Sequence, residues 1–407
     1  MKLSFFTNRQ YREEKVLNWI SVGLLFFITA FIWVPKRDGL QAIFALGFLL
    51  PLLCVLPFRK PEFKNYGGWM TYLALIFTAY SVLTSLWAPE NKVDFFLIQW
   101  IVLAVWLMGI NWLAHSREIN WNKIQELLLL MGALIGLINI LIFYGQYPIN
   151  GRLEGFFMAR NPNEVGALFG VLTLLAFCQW LNASDTRKIF HYSLLWVMLS
   201  VPLLLSQSRG SMLALIITGL MAIFYIRPSP KKIYILMGLI VSGLVMLVLN
   251  WQLLTDDRIA IGFRDVIWQE VFSRSVHEHF WFGLGMEKFE KIIIPDVDVF
   301  DHAHNVWLDT FYHTGLVGLI LGLLHVFYVL QKFKPSSAQI ALYLWLMFSL
   351  IAAMFDYRTF FWQIDFKWFL FWIPVGLISA IQLQEKRFAQ DQIADKKDVG
   401  VEKSDGC

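Results

Sequence analysis

Apolar residues in this chain come in long blocks separated by short polar breaks. A helix that crosses a bilayer needs roughly 20 mostly apolar residues. About twelve blocks approach that length, near residues 16–34, 40–58, 69–87, 95–114, 124–143, 165–181, 192–207, 211–226, 233–250, 306–330, 340–355 and 367–383. The pattern predicts an all-α polytopic membrane protein. The blocks flanking Gln207–Ser211 have the tightest connection, which leaves open whether they form two spans. The first block follows a charged start and lacks a small-residue cleavage site, so it reads as a retained helix and not a removed signal peptide.

One interval breaks the rhythm. Residues 251–305, between the ninth and tenth blocks, form a connection far longer than any other, and loops of that size usually have a function. Part of it, "TDDRIAIGFRDVIWQEVFSRSVHEHF", has helical character. Asp256 or Asp257 can cap it, and Phe263, Ile267 and Val271 recur at spacings of four, flanked by Trp268 and Phe272. Such a helix suits a membrane interface. Residues 1–383 therefore read as one transmembrane domain with a long loop containing short helices. Residues 384–407 read as a polar tail, mixed in charge and poor in aromatics, of the disordered kind.

Basic residues assign the two sides. Lys2, Arg9, Arg12 and Lys15 precede the first block, and every second connection is also basic: Arg59/Lys60/Lys64, Arg117/Lys123, Arg187/Lys188, Arg227/Lys231/Lys232 and Lys332/Lys334. These should face the cytoplasm together with both termini. Pro35-Lys36-Arg37 is a mild exception on the far side.

Composition supports this reading and removes others. Apolar residues make up 57% of the chain and charged ones 16%, against about 25% charged in soluble domains. The net charge of +4 gives no basic footprint for nucleic acid. Three dispersed cysteines offer neither a disulfide framework nor a zinc site. There is no GxxxxGK[ST], so no P-loop, and no repeat of fixed period.

The far side carries the candidate chemistry. Arg209 lies in "VPLLLSQSRGSMLALII", with apolar chain on both sides. An arginine near membrane depth is costly and must either snorkel to the interface or face protein or a wet cavity. Small neighbours (Ser208, Gly210, Ser211) let an anion approach the start of the next helix. Arg264, in "GFRDVIW", can pair with Asp265 or Glu270 or join Arg209 on an anionic ligand. Arg152, Arg160 and Arg258 are further arginines on a side where positive residues are ordinarily depleted. Guanidinium forks match phosphate oxygens. In "ARNPNE", Asn163 can cap the following helix with Pro162 fixing its start, and Asn161 can contact a sugar or phosphate.

The stretch "FDHAHNVWLDTFYHTGLVG" completes the set. Asn305 is a good N-cap for the tenth span. That places His304 at the interface, able to be neutral near pH 7 and to accept a proton. His313 reads as a packed intramembrane histidine, and Gly315 and Gly318 as close-packing positions. Asp296, Asp298, Asp301, His302 and His304 invite a metal reading, but their spacing matches neither HExxH nor an EF-hand loop, so no metal and no cofactor is expected. Arginines and a histidine at a lipid boundary suit a lipid-linked diphosphate, whose cleavage leaves negative charge that fixed guanidinium groups stabilise.

In the order "GRLEGFFMARNPNEVGALF", "SQSRGSMLAL", "RDVIW" with "FGLGMEKF", and "HAHNVWLDTFYHTGLVG", the chain resembles the O-antigen ligase and polymerase family of bacterial membrane glycosyltransferases. The resemblance covers roughly Gly151 to Gly318. It implies a helical fold of the C-type glycosyltransferase kind in the inner membrane with a periplasmic active site. It also implies an undecaprenyl-diphosphate-linked glycan donor and inverting, metal-independent transfer. By position, Arg209 and Arg264 would hold the diphosphate and His304 would activate the acceptor. Arg160, Asn161, Asn305, His302 and Arg258 are further candidates for substrate binding, with His304 preferred over His302 as the base because it directly precedes Asn305. Trp281 stands where the family often has proline, which leaves the shape of that turn open. Three acceptors fit the family: lipid A core sugar, a growing glycan, or a protein hydroxyl. Protein-glycosylating members tend to carry an added C-terminal region, which favours the ligase here. A lipid or anion transporter is the alternative of another class; it would place polar groups at mid-membrane and show internal repeats.

Overall fold

A computed structural model describes residues 2–55, 68–116, 119–148, 151–230, 232–237, 264–287, 292–294, 298–300, 302–332 and 337–402. Nearly all of these are helical. In chain order the helices are α1 (Lys2–Trp33), α2 (Arg37–Phe44), α3 (Leu50–Val55), α4 (Trp69–Thr84), α5 (Val93–Ser116), α6 (Trp121–Tyr144), α7 (Pro162–Asn182), α8 (Thr186–Ser206), α9 (Arg209–Ile226), α10 (Arg264–Glu278), α11 (Val306–Gln331), α12 (Ser337–Ala352) and α13 (Ile373–Glu402). A π turn over Ala45–Leu49 joins α2 to α3, and another over Trp368–Trp372 leads into α13. One short antiparallel pair, β1 (Ile292–Ile294) with β2 (Asp298–Phe300), lies in the long loop.

Eight helical segments are long and apolar enough to cross a membrane: Glu14–Trp33, Arg37–Cys54, Val93–Ser116, Trp121–Tyr144, Pro162–Asn182, Thr186–Ser206, Arg209–Ile226 and Val306–Gln331. They coincide with eight of the expected spans. Two more, Trp69–Thr84 and Gln339–Ala352, are apolar but shorter. The ninth expected span lies largely outside the described residues, as do Asp256, Asp257, Arg258, Phe263, Asp296 and Asp301. The tight Gln207–Ser211 connection does separate two helices, because Gln207 turns left-handed with φ of 51°. Large apolar side chains such as Phe190, Phe224, Leu141 and Ile216 are exposed on the outer faces of α6, α8 and α9. Such surfaces are at home in lipid. The chain is a multi-span membrane protein.

The centre is α7. It is apolar all round and almost entirely buried, as expected of a helix enclosed on every side. It starts sharply: Asn161 accepts from the Glu164 N–H at 2.8 Å, Glu164 reaches back, and Pro162 sits in the first turn. The cap is thus Asn161 and not Asn163, because the proline must occupy a position whose N–H is free anyway. Around α7 pack α8, α9 and α12, while α11 packs on α4 and α10. Buried tryptophans tie the far end of the chain to this body: Trp106 Nε1 donates to the Trp372 carbonyl at 2.9 Å, and Trp372 Nε1 to that of Phe360 at 2.9 Å.

In the long loop, α10 turns Ile267 and Val271 inward against Ala303 and Tyr312. The expected apolar stripe therefore docks on α11. The following "FGLG" turn hydrogen-bonds α11 where that helix kinks, Leu284 N to the Tyr312 carbonyl and Gly285 N to that of His313, both at 2.9 Å. Gly315 at the kink has φ of 64°, and a Cβ there would stand 2.4 Å from the Trp281 backbone, so only glycine fits. His313 is buried, its Nδ1 2.9 Å from the Asp309 carbonyl oxygen, as a packed histidine should be.

Candidate active site

The segment Ala353–Thr359 follows α12 and touches α7, α9, α10 and α11. Ala353 accepts from the first N–H of α11, that of Val306, at 3.0 Å. Phe355 accepts from Arg264 Nε, on α10, at 2.8 Å. The Phe355 side chain leaves no room for a Cβ at Gly210 in the first turn of α9, where the nearest atom would be 2.9 Å away. Tyr357 donates its hydroxyl to the Asn163 carbonyl at the start of α7, at 3.1 Å. Thr359 N–H donates to the buried Asp309 carboxylate of α11 at 2.8 Å. Helix starts carry N–H groups without intrahelical partners and a partial positive charge; Asn161, Asn305 and the Ala353 carbonyl satisfy some of these groups on α7 and α11, while the first turn of α9, with no side-chain cap, carries Arg209.

Asp356 stands in the middle of the segment and is 9% exposed. His304 Nδ1 lies 3.0 Å and His302 Nε2 3.4 Å from the same oxygen, Asp356 Oδ1, which also accepts from the Tyr357 N–H at 2.9 Å. The two imidazoles are adjacent, their centroids 3.7 Å apart. Burial disfavours the Asp356 carboxylate, but the hydrogen bonds and charges of His302 and His304 outweigh it and hold its pKa well below the ordinary range. An ionised carboxylate only accepts, so His304 Nδ1 donates to it; whenever the ring is neutral, the lone pair is then on Nε2. A carboxylate that orients an imidazole in this way is a recurring device for making a general base.

The arginines belong to the same neighbourhood. Burial lowers the pKa of Arg264; the Asp356 carboxylate raises it and the Arg209 guanidinium lowers it further. Arg152 is lowered by burial, then by the charges of Arg209 and Arg264, with Asp356 opposing. Arg209, Arg264, Arg152 and Asp356 therefore feel one another's charge. Arg152 is anchored, its Nε donating to the Ser206 carbonyl at 3.1 Å and its terminal nitrogen to Asn163 Oδ1 at 2.9 Å. Arg209 is the first residue of α9, exposed, and its guanidinium has no hydrogen bond to a described residue. An exposed guanidinium held among others of its sign is stabilised by an anion.

Residues 194–323 match the protein family described as O-Antigen ligase. Over 380 residues, 91% of this chain and 92% of the relative, the sequence is also 25% identical to an O-antigen ligase of Pseudomonas aeruginosa. The resemblance to the O-antigen ligase family holds. The matched region contains Arg209, Arg264, His302 and His304 but stops before Asp356.

The other residues singled out from the ligase-like motifs have identifiable partners. Arg160 donates to the Pro35 carbonyl at 2.8 Å, across to the connection between α1 and α2. Asn161 and Asn305 use their side-chain oxygens as helix caps, Asn305 accepting from Trp307 and Leu308 N–H at 2.9 and 3.2 Å. Asp356 is the residue that the motifs missed. Its signal was modest: "FDYRTF" is an isolated polar break between two apolar blocks on the same side as His304.

Proposed function

We propose that this protein is a glycosyltransferase that moves a glycan from undecaprenyl diphosphate to an acceptor hydroxyl, as an O-antigen ligase acting on lipid A core. In this reading the inner membrane holds about twelve spans, and the site opens to the periplasm. The donor tail lies in the bilayer, and its diphosphate rests against Arg209, at the start of α9, and Arg264. The acceptor oxygen attacks the anomeric carbon of the donor sugar. His304 Nε2 takes the hydroxyl proton, a glycosidic bond forms with inversion, and the bond from carbon to diphosphate oxygen breaks. Undecaprenyl diphosphate leaves with the electron pair, and the guanidinium groups hold the new negative charge. Fixed donors at such a position contribute roughly 10²–10³ in rate each.

The observation that carries this reading is the hydrogen bond from His304 to Asp356 on the segment that also receives Arg264. Base and cations are thereby tied to one short stretch of chain. The similarity to an O-antigen ligase along most of the chain favours lipid A core over the other acceptors. The test is transfer in vitro from a lipid-diphosphate glycan, with lipid A core, a second glycan and a protein offered side by side. His304→Ala and Arg209→Ala are each expected to lose transfer by at least about 100-fold with normal membrane abundance. Full transfer by either variant would refute the assigned roles, and transfer to the protein acceptor alone would replace the ligase reading.

A further inference from the structure

Three atoms that bind transition metals converge at the junction. One ring nitrogen each from His302 and His304 and an Asp356 carboxylate oxygen all lie within 4.8 Å of one another, and the nitrogens that face Asp356 are His304 Nδ1 and His302 Nε2. Their separations from Asp356 Oδ1 are 3.0 and 3.4 Å. Bonds of about 2.0–2.1 Å to a tetrahedral zinc ion put neighbouring ligand atoms about 3.4 Å apart. Two imidazoles and one carboxylate, with a fourth position open, form a donor set suited to zinc. The three residues are largely sheltered, with side chains 19%, 21% and 12% exposed, so they are held in place before any ion arrives.

We infer that His302, His304 and Asp356 form a binding site for an imidazole-seeking divalent cation such as Zn²⁺, and that its occupancy blocks the transfer reaction. The second half rests on the transferase reading above. The reason for the block is the tautomer. A neutral imidazole has one proton and one lone pair. When Nδ1 donates to Asp356, the lone pair is on Nε2, where an acceptor hydroxyl can use it. When Nδ1 gives its lone pair to a metal, the proton moves to Nε2 and the ring can no longer accept one. The same groups thus serve as a base without metal and are silenced with it. This site differs from the grouping of Asp296, Asp298, Asp301, His302 and His304 that the sequence spacing argued against: its carboxylate comes from about fifty residues later in the chain.

The test uses tag-free, full-length protein in detergent, made metal-free with a chelator, and ZnCl₂ as the probe. Bound zinc is measured by equilibrium dialysis without donor or acceptor, and Co²⁺ in its place reports tetrahedral geometry through its visible absorption. One ion per chain is expected in the wild type and in His279→Asn, and none in His302→Asn or Asp356→Asn. Stoichiometry unchanged in those two variants, or no binding by the wild type, overturns the site. Transfer is then read on the same protein. The expected result is full activity when metal-free and at least a tenfold loss on zinc addition, reversed by chelator. Zinc bound at this site with undiminished transfer overturns the block. A metal-free wild type that binds one zinc but transfers nothing contradicts the transferase reading while supporting the site.

Discussion

At His304 the backbone turns left-handed, with φ of 50°. A residue with a Cβ resists that region, and it persists where the surroundings overdetermine it. Here the bend brings the ring onto Asp356 while the next residue, Asn305, caps α11. Tyr357, beside Asp356, is bent likewise, with φ of 75°. Asp356 also links the site to pH. Its folded-state pKa is depressed, so its stabilising effect is complete above the unfolded carboxylate value, about 3.9, and fades as pH falls below it. Asp356→Asn is expected to lower the melting temperature in detergent at pH 7, with the gap to wild type narrowing below about pH 4. A constant gap from pH 7 to pH 3 would show that the charge is not what stabilises. The sequence revealed His304 because an interfacial imidazole next to a capping asparagine is chemically conspicuous. Asp356 stayed hidden because a lone carboxylate in a short polar break looks like any solvated loop, and only the fold brings it across 52 residues to the imidazole.

At the scale of elements, the apolar blocks were readable because burial and lipid exposure both demand them. The kink in α11 was not, since a glycine in an apolar run looks like ordinary close packing. It lets the turn after α10 enter α11 and exchange backbone hydrogen bonds with it, Leu316 N–H to the Phe280 carbonyl at 2.8 Å among them. Gly315→Ala combines a positive φ with a steric clash and is expected to destabilise by about 1–3 kcal/mol. Gly68→Ala, with nothing within 4 Å, is the comparison that should melt like wild type. If Gly315→Ala also melts like wild type, the docking of α10 on α11 contributes little.

For the whole molecule, basic connections set the orientation and α8 offers a clean test of it. Gln207 and Arg187 are exposed at its opposite ends. In a background with Cys54, Cys178 and Cys407 changed to serine, an impermeant maleimide should label Gln207→Cys in cells with a permeable outer membrane. Arg187→Cys should react only after the inner membrane is broken. The reverse pattern would put the arginines in the cytoplasm and end the proposal of a periplasmic site. Lysine and arginine counts give the sequence an expected sidedness, and this labelling tests it. The meeting of α7, α9, α10 and α11 at one segment was not legible, because it depends on tertiary packing between parts of the chain that no local pattern relates.

The position of Ala353–Thr359 in the chain has a consequence for biosynthesis. Arg209, Arg264 and His304 leave the ribosome well before Asp356 does, and the segment that gathers them is threaded among helices already made. A partly synthesised chain therefore has Arg209, Arg264 and His304 but lacks the carboxylate that orients the imidazole, so the site is assembled only in the last stage of synthesis.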